Sequence, residues 1–325
     1  MKGITMINDK VSIIVLTYRK FDNLKKNIMS IITQDYQNYE VIIHDDGSDN
    51  FDLEYIDQMI PKVYRNKFFV KTSEKNQGTV RNFNHAIQLS SGQIIMPLSQ
   101  DDVFANTHVI RDVVYTFDKT QCDACLGKRK GAITSSIYPS DRDFNLIDND
   151  NKVLKKRLQF ENFISGSSLY YRKSSLQKLK YFDEKYVYLE DYPLVMKLLR
   201  SNMKISGLDE VTVIYGENGA TNENKNSSVH RQLVRDNVTN YKTNVQPDLN
   251  THLLIDKYID YTKLFIGNDS LLQKCLINLR HPIMACLKLW LKKHRTKGNE
   301  SILNESEDFF NLLEIEKRRI KRASN

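Results

Sequence analysis

The chain has 325 residues, of which 27% are charged and 10% aromatic, and its net charge is +8, with 48 Lys and Arg against 40 Asp and Glu. This length is enough for a full core in one large domain, or in a domain with an appendage, and four cysteines do not make a disulfide scaffold. The basic balance predicts a polyanionic partner, which leaves nucleic acid, anionic lipid and a phosphorylated substrate open.

The first ten residues are polar and lack the apolar centre of a signal peptide, and no later segment approaches the roughly 18 to 20 apolar residues that span a bilayer. We therefore expect a cytoplasmic protein. Cys122 and Cys125 form a lone C-x-x-C motif without a second pair or zinc-spaced histidines. They are interpreted as core residues rather than as a metal or redox site.

Short β-branched runs alternate with helical apolar periods along the first hundred residues. The predicted elements are a strand at Val11–Tyr18, a helix ending near Gln34, a strand at 40–44, a helix at 52–60, a strand at 67–71, a helix at 80–89 and a strand at 93–98. This alternation predicts a doubly wound α/β domain with a mostly parallel sheet.

Polar side chains follow three of these strands. Thr17 ends the first, Asp45-Asp46-Gly47-Ser48 follows the second, and Asp101-Asp102 follows the last. Parallel strands share their carboxyl side, so these residues meet at one edge, where Arg81 in a first helical turn could reach a phosphate. The edge is predicted to be a nucleotide pocket, although Asp101 could instead cap a helix beginning near Val103.

The second half of the sequence is less regular. We predict a helix at 105–120, loops with short strands at 128–151, a strand at 163–171 and a short helix at 174–179. Pro193 then marks the first turn of a helix whose amino end carries Glu190 and Asp191. The two acids either cap this helix or serve in catalysis, and the helix dipole favours their ionised form.

The acidic sites, in this order, resemble the family 2 glycosyltransferases with the GT-A nucleotide-sugar binding fold. The matching segments are Val11–Tyr18, Asp45–Ser48, Asn76–Gly78 with Arg81-Asn82, Leu98–Asp102, Ser165–Ser167, Phe182–Glu184 and Glu190-Asp191. The match covers roughly residues 11 to 220. Each motif is weak, but the ordered combination is fairly specific.

The resemblance implies roles for the residues at the sheet edge. Thr17, Tyr18 and Asp46 would bind the base and ribose of a nucleoside diphosphate sugar, most simply a UDP-sugar, and Arg81 would help to hold them. Gln100 would also lie against the nucleotide. Asp101, with Asp102, would ligate Mn²⁺ or Mg²⁺ against the diphosphate.

The resemblance also implies a single displacement with inversion at the anomeric carbon. Asp191, with Glu190 beside it, would be the general base that takes the proton of the acceptor hydroxyl. A bound metal would neutralise the charge on the departing diphosphate.

Two departures from the family pattern weaken this transfer of roles. Ser99 or Gln100 stands where the metal motif usually begins with Asp. Downstream, Tyr215-Gly216-Glu217 stands where many members carry Arg and His after a Tyr. Glu217 and His230 are the candidates to replace that missing ligand.

The domain is expected to span residues 1–222, with a nucleotide-binding half at about 11–102 and an acceptor half at about 103–222. Residues 223–325 are expected to form a basic helical extension. An apolar stripe there includes Leu276, Leu279, Ile283, Leu287 and Trp290, and no acid occurs between Leu271 and Asn299. Such a stripe either lies on an anionic membrane or packs on the catalytic domain or a second subunit. No nucleic-acid recognition module is present.

The first functional hypothesis is therefore a metal-dependent inverting glycosyltransferase acting on a lipid-linked or polysaccharide acceptor, at the inner face of the cell membrane. A nucleotidyltransferase would share the nucleotide pocket but would cleave between phosphates. A catalytically silent nucleotide-sugar binding subunit is the third hypothesis, since the metal motif lacks its first acid.

Overall fold

The computed structural model describes residues 8–148, 151–216, 227–268 and 270–293. The chain divides into two compact units, Met1–Asn240 and Tyr241–Asn325. Helix Ser228–Asn240, which follows the boundary expected from the sequence, is grouped with the first unit. No helix within the described ranges is long and apolar enough to cross a membrane.

The described part of the first unit contains a single mixed sheet. Its strands are β1 Val11–Thr17, β2 Tyr39–Asp45, β3 Phe68–Thr72, β4 Ile94–Pro97, β5 Val103–Phe104, β6 Ala124–Gly131, β7 Ile137–Tyr138, β8 Leu169–Arg172 and β9 Ile205–Tyr215. They lie in the order β3-β2-β1-β4-β8-β6-β9-β5, with β7 beside β6. The fold is therefore α/β with a mostly parallel sheet, as the sequence predicts.

Strand directions determine which loops can meet. Strands β1 to β4 are mutually parallel, β8 runs antiparallel between β4 and β6, and β9 is parallel to β6. The carboxyl ends of β1, β2, β4, β6 and β9 therefore share one edge with the amino end of β8. We call it the carboxyl edge, and the opposite one the amino edge.

Helices cover the sheet of the first unit. They are α1 Leu24–Ile32, α2 Leu53–Met59, α3 Thr79–Leu89, α4 Val109–Thr120, α5 Asp141–Phe144, α6 Asn151–Phe160, α7 Lys173–Lys178, α8 Asp191–Arg200 and α9 Ser228–Asn240. Strand β1 is apolar at nearly every position because both of its faces are covered. Helix α1 packs Leu24, Ile28 and Ile31 into the same core, where β1 contributes Val11, Ile13 and Val15.

Three predicted segments differ from the structure, and one strand was not predicted. Val103–Phe104 is strand β5, paired antiparallel with β9, so the expected helix begins only at Val109 and Asp101 caps no helix. The strand expected at 163–171 is confined to Leu169–Arg172. The segment 128–151 contains the end of β6 as well as α5, and β9 was not predicted. Strand pairing across the sheet, which no local pattern reports, decided each of these cases.

The second unit is helical throughout its described part. After short helical turns at Tyr241–Val245 and Gln246–Asp248 come α10 Leu254–Ile266, α11 Leu271–Arg280 and α12 Pro282–Lys293. The three helices contact one another pairwise. Polar groups take part in this packing, since the Tyr241 hydroxyl donates to Asp260 and the Tyr261 hydroxyl donates to Asn278 Oδ1 at 3.0 Å.

Candidate active site

The first acid after β2 has a structural role. Asp45 is fully buried, and its carboxylate accepts hydrogen bonds from the hydroxyls of Thr17, Ser48 and Thr72 at 3.1, 2.6 and 3.0 Å. The Ser48 backbone N–H adds a fourth at 2.7 Å. Asp45 thus ties the ends of β1 and β3 to the loop after β2. Thr17, which the resemblance places at the nucleotide, is buried in this network.

The second acid after β2 fixes the start of α3. Asp46 accepts the backbone N–H groups of Gln77 and Gly78, both at 2.9 Å. Gly78 has φ +89°, and a Cβ there would lie 2.4 Å from a side-chain carbon of Val187, so only glycine fits. Burial raises the pKa of Asp46, and the two N–H donors oppose this. Each carboxylate oxygen keeps a further lone pair for a ligand.

The other two predicted nucleotide contacts at this end are more open. Tyr18 is half-buried, and the Arg19 guanidinium lies 4.9 Å from its ring centroid. Arg81 projects from the first turn of α3, and its Nε lies 3.4 Å from Glu184 Oε2, with both side chains about half exposed. An ion pair this exposed contributes little stability, so Arg81 can exchange Glu184 for an incoming phosphate at low cost.

Asp101 and Asp102 lie at the end of β4, against the end of β9. Asp102 is completely buried, and its Oδ1 accepts the Gly216 N–H at 2.9 Å. Burial, and then the charge of Asp101, raise the pKa of Asp102 to about 8. A Cβ at Gly216 would lie 2.8 Å from Asp101 Oδ2 and 2.5 Å from its carbonyl oxygen. Glycine is therefore required where the sequence departs from the family pattern after Tyr215.

The same loop presents oxygen atoms suited to a divalent cation. Within the described ranges, Asp102 Oδ2 and Gln100 Oε1 are buried without a hydrogen-bond partner. The Asn27 amide donates to the carbonyls of Ser99 and Asp102, both at 2.8 Å, and so holds the loop in place. Carboxylate and amide oxygens are the donors that Mg²⁺ and Mn²⁺ prefer. The residues present therefore fit such an ion.

Arg129 is a residue that sequence reasoning did not single out. It lies on β6, with its guanidinium 4.2 Å from the ring centroid of Tyr215 and 5.0 Å from that of Tyr138. Its Nε is buried with no hydrogen-bond partner in the described part of the chain, and its charge acts on Asp102. A half-buried cation whose Nε is a spare donor beside two acids is suited to a diphosphate. The sequence predicts only loops with short strands over 128–151, so it does not place Arg129 on a particular strand.

Glu190 and Asp191 begin α8, next to the segment that leads into β8. The Gly166 N–H donates to Asp191 Oδ2 at 2.8 Å, and the Tyr192 N–H donates to Oδ1 at 2.6 Å. Glu190 makes no side-chain capping bond. A Cβ at Gly166 would lie 2.8 Å from Glu190 Oε1. The Ser165–Ser167 motif thus contacts both acids, although it lies 25 residues before them.

Burial dominates the ionisation of this acidic pair. It raises the pKa of Asp191, which the two N–H donors oppose, and together with the charge of Asp191 it raises the pKa of Glu190 to about 8. The helix dipole was expected to favour their ionised forms, but the cost of removing a carboxylate from water is larger. Raised carboxyl pKa values are typical of groups that exchange protons near neutral pH.

Asp236 on α9 holds the segment that leads into this pair, and no sequence motif predicted this role. Its Oδ2 accepts the backbone N–H groups of Val187, Tyr188 and Leu189 at 2.9, 2.7 and 3.3 Å. On the other side, the Val187 carbonyl accepts the Val80 N–H of α3 at 3.1 Å. The approach to Glu190 is therefore held between α9 and the helix that Asp46 positions.

The two acidic centres are connected. Arg129, whose charge acts on Asp102, also lies over the ring of Tyr138. After burial, the charge of Asp191 is the next largest influence that raises the pKa of that phenol. Both acidic pairs lie at the carboxyl edge, Asp101-Asp102 after β4 and Glu190-Asp191 against the segment that enters β8. His230 lies at the start of α9, and Glu217 lies outside the described residues.

A second group of metal donors lies elsewhere. His108, Asp112 and Glu210 each offer one ligand atom, and these atoms lie within 4.8 Å of one another. Asp112 already accepts Arg111 Nε at 3.2 Å. The three residues belong to α4, the position before it, and β9, and none of them was predicted as a site residue.

Comparisons with known protein families, relatives and structures agree with this site geometry. Its residues 12–180, which are 169 of 325, match the family model described as glycosyl transferase family 2. An uncharacterised glycosyltransferase of Haemophilus influenzae is 25% identical over 306 residues, covering 87% of this chain and 91% of that protein.

A second relative has a named activity. The GalNAc(5)-diNAcBac-PP-undecaprenol beta-1,3-glucosyltransferase of Campylobacter jejuni is 25% identical over 180 residues, covering 54% of this chain and 56% of that protein. Among solved structures, S. aureus TarS 1-349 in complex with UDP-GlcNAc is similar in fold, with a TM-score of 0.55 and 21% identity, over 79% of this chain and 80% of that one. The family model matches more than half of the sequence, and the chain therefore belongs to glycosyltransferase family 2.

Proposed function

We propose that this enzyme transfers a glycosyl group from a nucleoside diphosphate sugar to a hydroxyl of a lipid-linked or polysaccharide acceptor, with inversion at the anomeric carbon. The observation that carries the proposal is the pairing of two acidic centres on one sheet edge. Asp101-Asp102 lies beside a cation, Arg129, and Glu190-Asp191 lies beside a backbone donor, Gly166. One centre suits a diphosphate, and the other suits a reacting hydroxyl.

Asp191 is the proposed general base. The acceptor oxygen forms a bond to the anomeric carbon as the bond from that carbon to the diphosphate oxygen breaks, and the leaving group keeps the electron pair. Asp191 takes the hydroxyl proton. Hydrogen bonds from Gly166 and Tyr192 fix the orientation of its carboxylate, and burial makes it a stronger base than a free aspartate.

Residues of the other centre hold the donor. Thr17, Tyr18 and Asp46 are proposed to contact the base and ribose, with Arg81 and Gln100 beside them. Asp101 and Asp102, with Gln100 Oε1, are proposed to hold Mn²⁺ or Mg²⁺. A bound cation would stabilise negative charge on the diphosphate. Arg129 is proposed to add a fixed positive charge there, which Ser99 in place of an acid makes more important.

The nature of donor and acceptor is proposed from the relatives. The Campylobacter relative is named for an undecaprenol-diphosphate-linked acceptor, and the TarS structure contains UDP-GlcNAc. We propose a UDP-sugar as donor and an acceptor of the bacterial surface-polysaccharide class. Such an acceptor would place the reaction at the cytoplasmic face of the membrane.

The test is release of nucleoside diphosphate from a panel of nucleotide sugars, with Mn²⁺, with Mg²⁺ and with chelator. We expect turnover of one donor, loss of turnover with chelator, and loss in Asp101→Asn. Asp118→Asn is the matched control, because it removes the same charge near the end of α4, just before the chain enters β6 at the amino edge.

Two other outcomes would replace the proposal. Release of nucleoside monophosphate would indicate a nucleotidyltransferase. A donor that binds in calorimetry without turnover, even when lipid-linked and polysaccharide acceptors are supplied, would indicate a silent binding subunit.

A further inference from the structure

Helix α11 presents its apolar side outward. None of its residues is buried, and Leu271, Leu272, Leu276 and Leu279 are between 47% and 78% exposed. At about 100° per residue, these four leucines fall within an arc of about 140°. The half-buried side of α11 carries the polar Lys274 and Asn278 together with Ile277. Asn278 accepts the Tyr261 hydroxyl, and Lys274 Nζ lies 5.6 Å from the Phe265 ring centroid.

Helix α12 also has large apolar side chains exposed. Ile283 and Leu289 are exposed, while Met284 is buried in the second unit. Lys288 is turned inward, with its Nζ 3.6 Å from the centroid of Phe265. A helix of a soluble protein usually buries its apolar side. Although α12 buries Met284, both helices leave large apolar side chains exposed. We call Leu271, Leu272, Leu276, Leu279, Ile283 and Leu289 the apolar face, which needs a partner.

The net charge of this stretch of the sequence selects the partner. Residues 271–299 contain Lys274, Arg280, Lys288, Lys292, Lys293, Arg295 and Lys297, and no Asp or Glu. A second copy of the chain would bring the same cations against each other, because a symmetric dimer pairs identical patches. An anionic surface with an apolar layer beneath it matches both the charge and the leucines.

We propose that the apolar face of α11 and α12 binds the surface of an anionic phospholipid bilayer. The leucines would enter the boundary between headgroups and acyl chains, and Arg280 would meet lipid phosphates, while Lys274 and Lys288 stay over the ring of Phe265. This goes beyond the transfer reaction and does not depend on it. Its test is binding alone, so it can fail or succeed separately from the proposed function.

The experiment is co-sedimentation of the full chain with vesicles. We expect binding to phosphatidylcholine vesicles that contain about one third phosphatidylglycerol, weaker binding to phosphatidylcholine alone, and loss of binding as salt is raised. Leu279→Glu should reduce the affinity at least about tenfold, since it places a charge in the apolar layer. Arg280→Gln should reduce it by about fivefold, the equivalent of one interfacial cation.

Val63→Glu is the matched control for Leu279→Glu. The two side chains are 78% and 77% exposed, but Val63 lies in the first unit, outside the apolar face. We expect Val63→Glu to bind vesicles like the wild type. Because both substitutions are at exposed positions, both variants should keep the wild-type thermal unfolding temperature, which circular dichroism checks.

Native cysteines provide a second readout. Cys275 and Cys286, on α11 and α12, are exposed, whereas Cys122 and Cys125 are buried. Anionic vesicles should therefore slow maleimide alkylation of the wild-type protein. Equal binding by Leu279→Glu and wild type, or no binding to anionic vesicles, would overturn the proposal. So would a dimer in sedimentation equilibrium without lipid that Leu279→Glu dissociates, because a second copy would then cover the face.

Discussion

Two glutamates at opposite edges of the sheet show how this fold separates stability from chemistry. At the amino edge, Glu40 accepts hydrogen bonds from Lys10, Ser12 and Ser91 at 2.5–2.8 Å. Burial alone would raise the pKa of Glu40, but these donors lower it to about 2. At the carboxyl edge, burial and the charge of Asp191 raise the pKa of Glu190 to about 8.

The two glutamates differ in pKa because they differ in the number of hydrogen-bond donors around the carboxylate. Burial disfavours both carboxylates, but Glu40 receives four hydrogen bonds, one of them from a cation, while Glu190 has acids beside it. The amino edge is therefore built to stay ionised. At the carboxyl edge Asp45 is fully hydrogen-bonded, but Asp102 and Glu190 have few donors, so an incoming cation, phosphate or hydroxyl can interact with them.

The largest effect that tests this contrast is expected for Asp191→Asn. Loss of the general base should lower turnover by about 10²- to 10⁴-fold, while the unfolding temperature stays close to that of the wild type. The base must be deprotonated to act, and burial raises the pKa of Asp191. In the wild type, activity should therefore rise with pH at values above the ordinary pKa of an aspartate. The rate of nucleoside diphosphate release, measured as a function of pH for the variant and the wild type, tests both the loss of turnover and the pH dependence. Unchanged turnover in Asp191→Asn would refute its role.

Glu40→Gln should have the opposite profile. Loss of the charged hydrogen bonds should cost about 2 kcal/mol of unfolding free energy, with turnover per folded molecule unchanged. The folded-state pKa is depressed, so in the wild type this contribution is present above about pH 4.5 and is lost as pH falls toward about 2. Denaturant melts across that window measure it. A variant as stable as the wild type at neutral pH would contradict the assignment.

Asp236→Asn tests whether the carboxyl edge depends on a distant support. Asparagine retains one acceptor oxygen but loses the charge, so we expect turnover to fall by about tenfold through looser positioning of the base. The negative charge of Asp236 is one of the groups that raise the pKa of Glu190. It is not among the groups that act on the pKa of Asp191, so turnover should fall while the acid limb of the pH profile, which reports Asp191, stays where it is in the wild type.

The control for Asp236→Asn lies one helical turn earlier. Gln232→Ala removes the 2.9 Å hydrogen bond to Asp236 Oδ1 but leaves the three backbone contacts intact. It should leave both turnover and the pH profile near the wild type. An equal loss in the two variants would assign the effect to α9 as a whole rather than to the contacts of Asp236.

The smallest effect is expected at the exposed ion pair. Glu184→Gln removes the partner of Arg81, and because both side chains are about half exposed the unfolding free energy should change by less than about 0.5 kcal/mol. Affinity for the nucleotide donor, measured by calorimetry, should stay equal or rise slightly, since Arg81 no longer has to leave an acid. Weaker donor binding would indicate that Glu184 itself contacts the donor.

Sequence patterns located the first half of the fold well, because its elements carry their own signals. Strand β1 is a continuous Val and Ile run, and α1 and α3 are amphipathic. The second half was harder. Strand β5 has two residues, and β6 mixes apolar residues with Gly, Lys and Arg, so neither has a clear period of its own. Their existence depends on β9, which lies some 80 to 110 residues later in the chain.

Residue types at short spacing were enough to predict the fold class, the order of the acidic strand ends and the family resemblance. The use of each acid depends on tertiary contacts. The tertiary structure turned Asp45 inward, buried Asp102 against Gly216, and set Asp236 behind Glu190. The physical reason is that the pKa and the partners of a carboxylate depend on burial and on nearby donors, and those come from segments far apart in the chain.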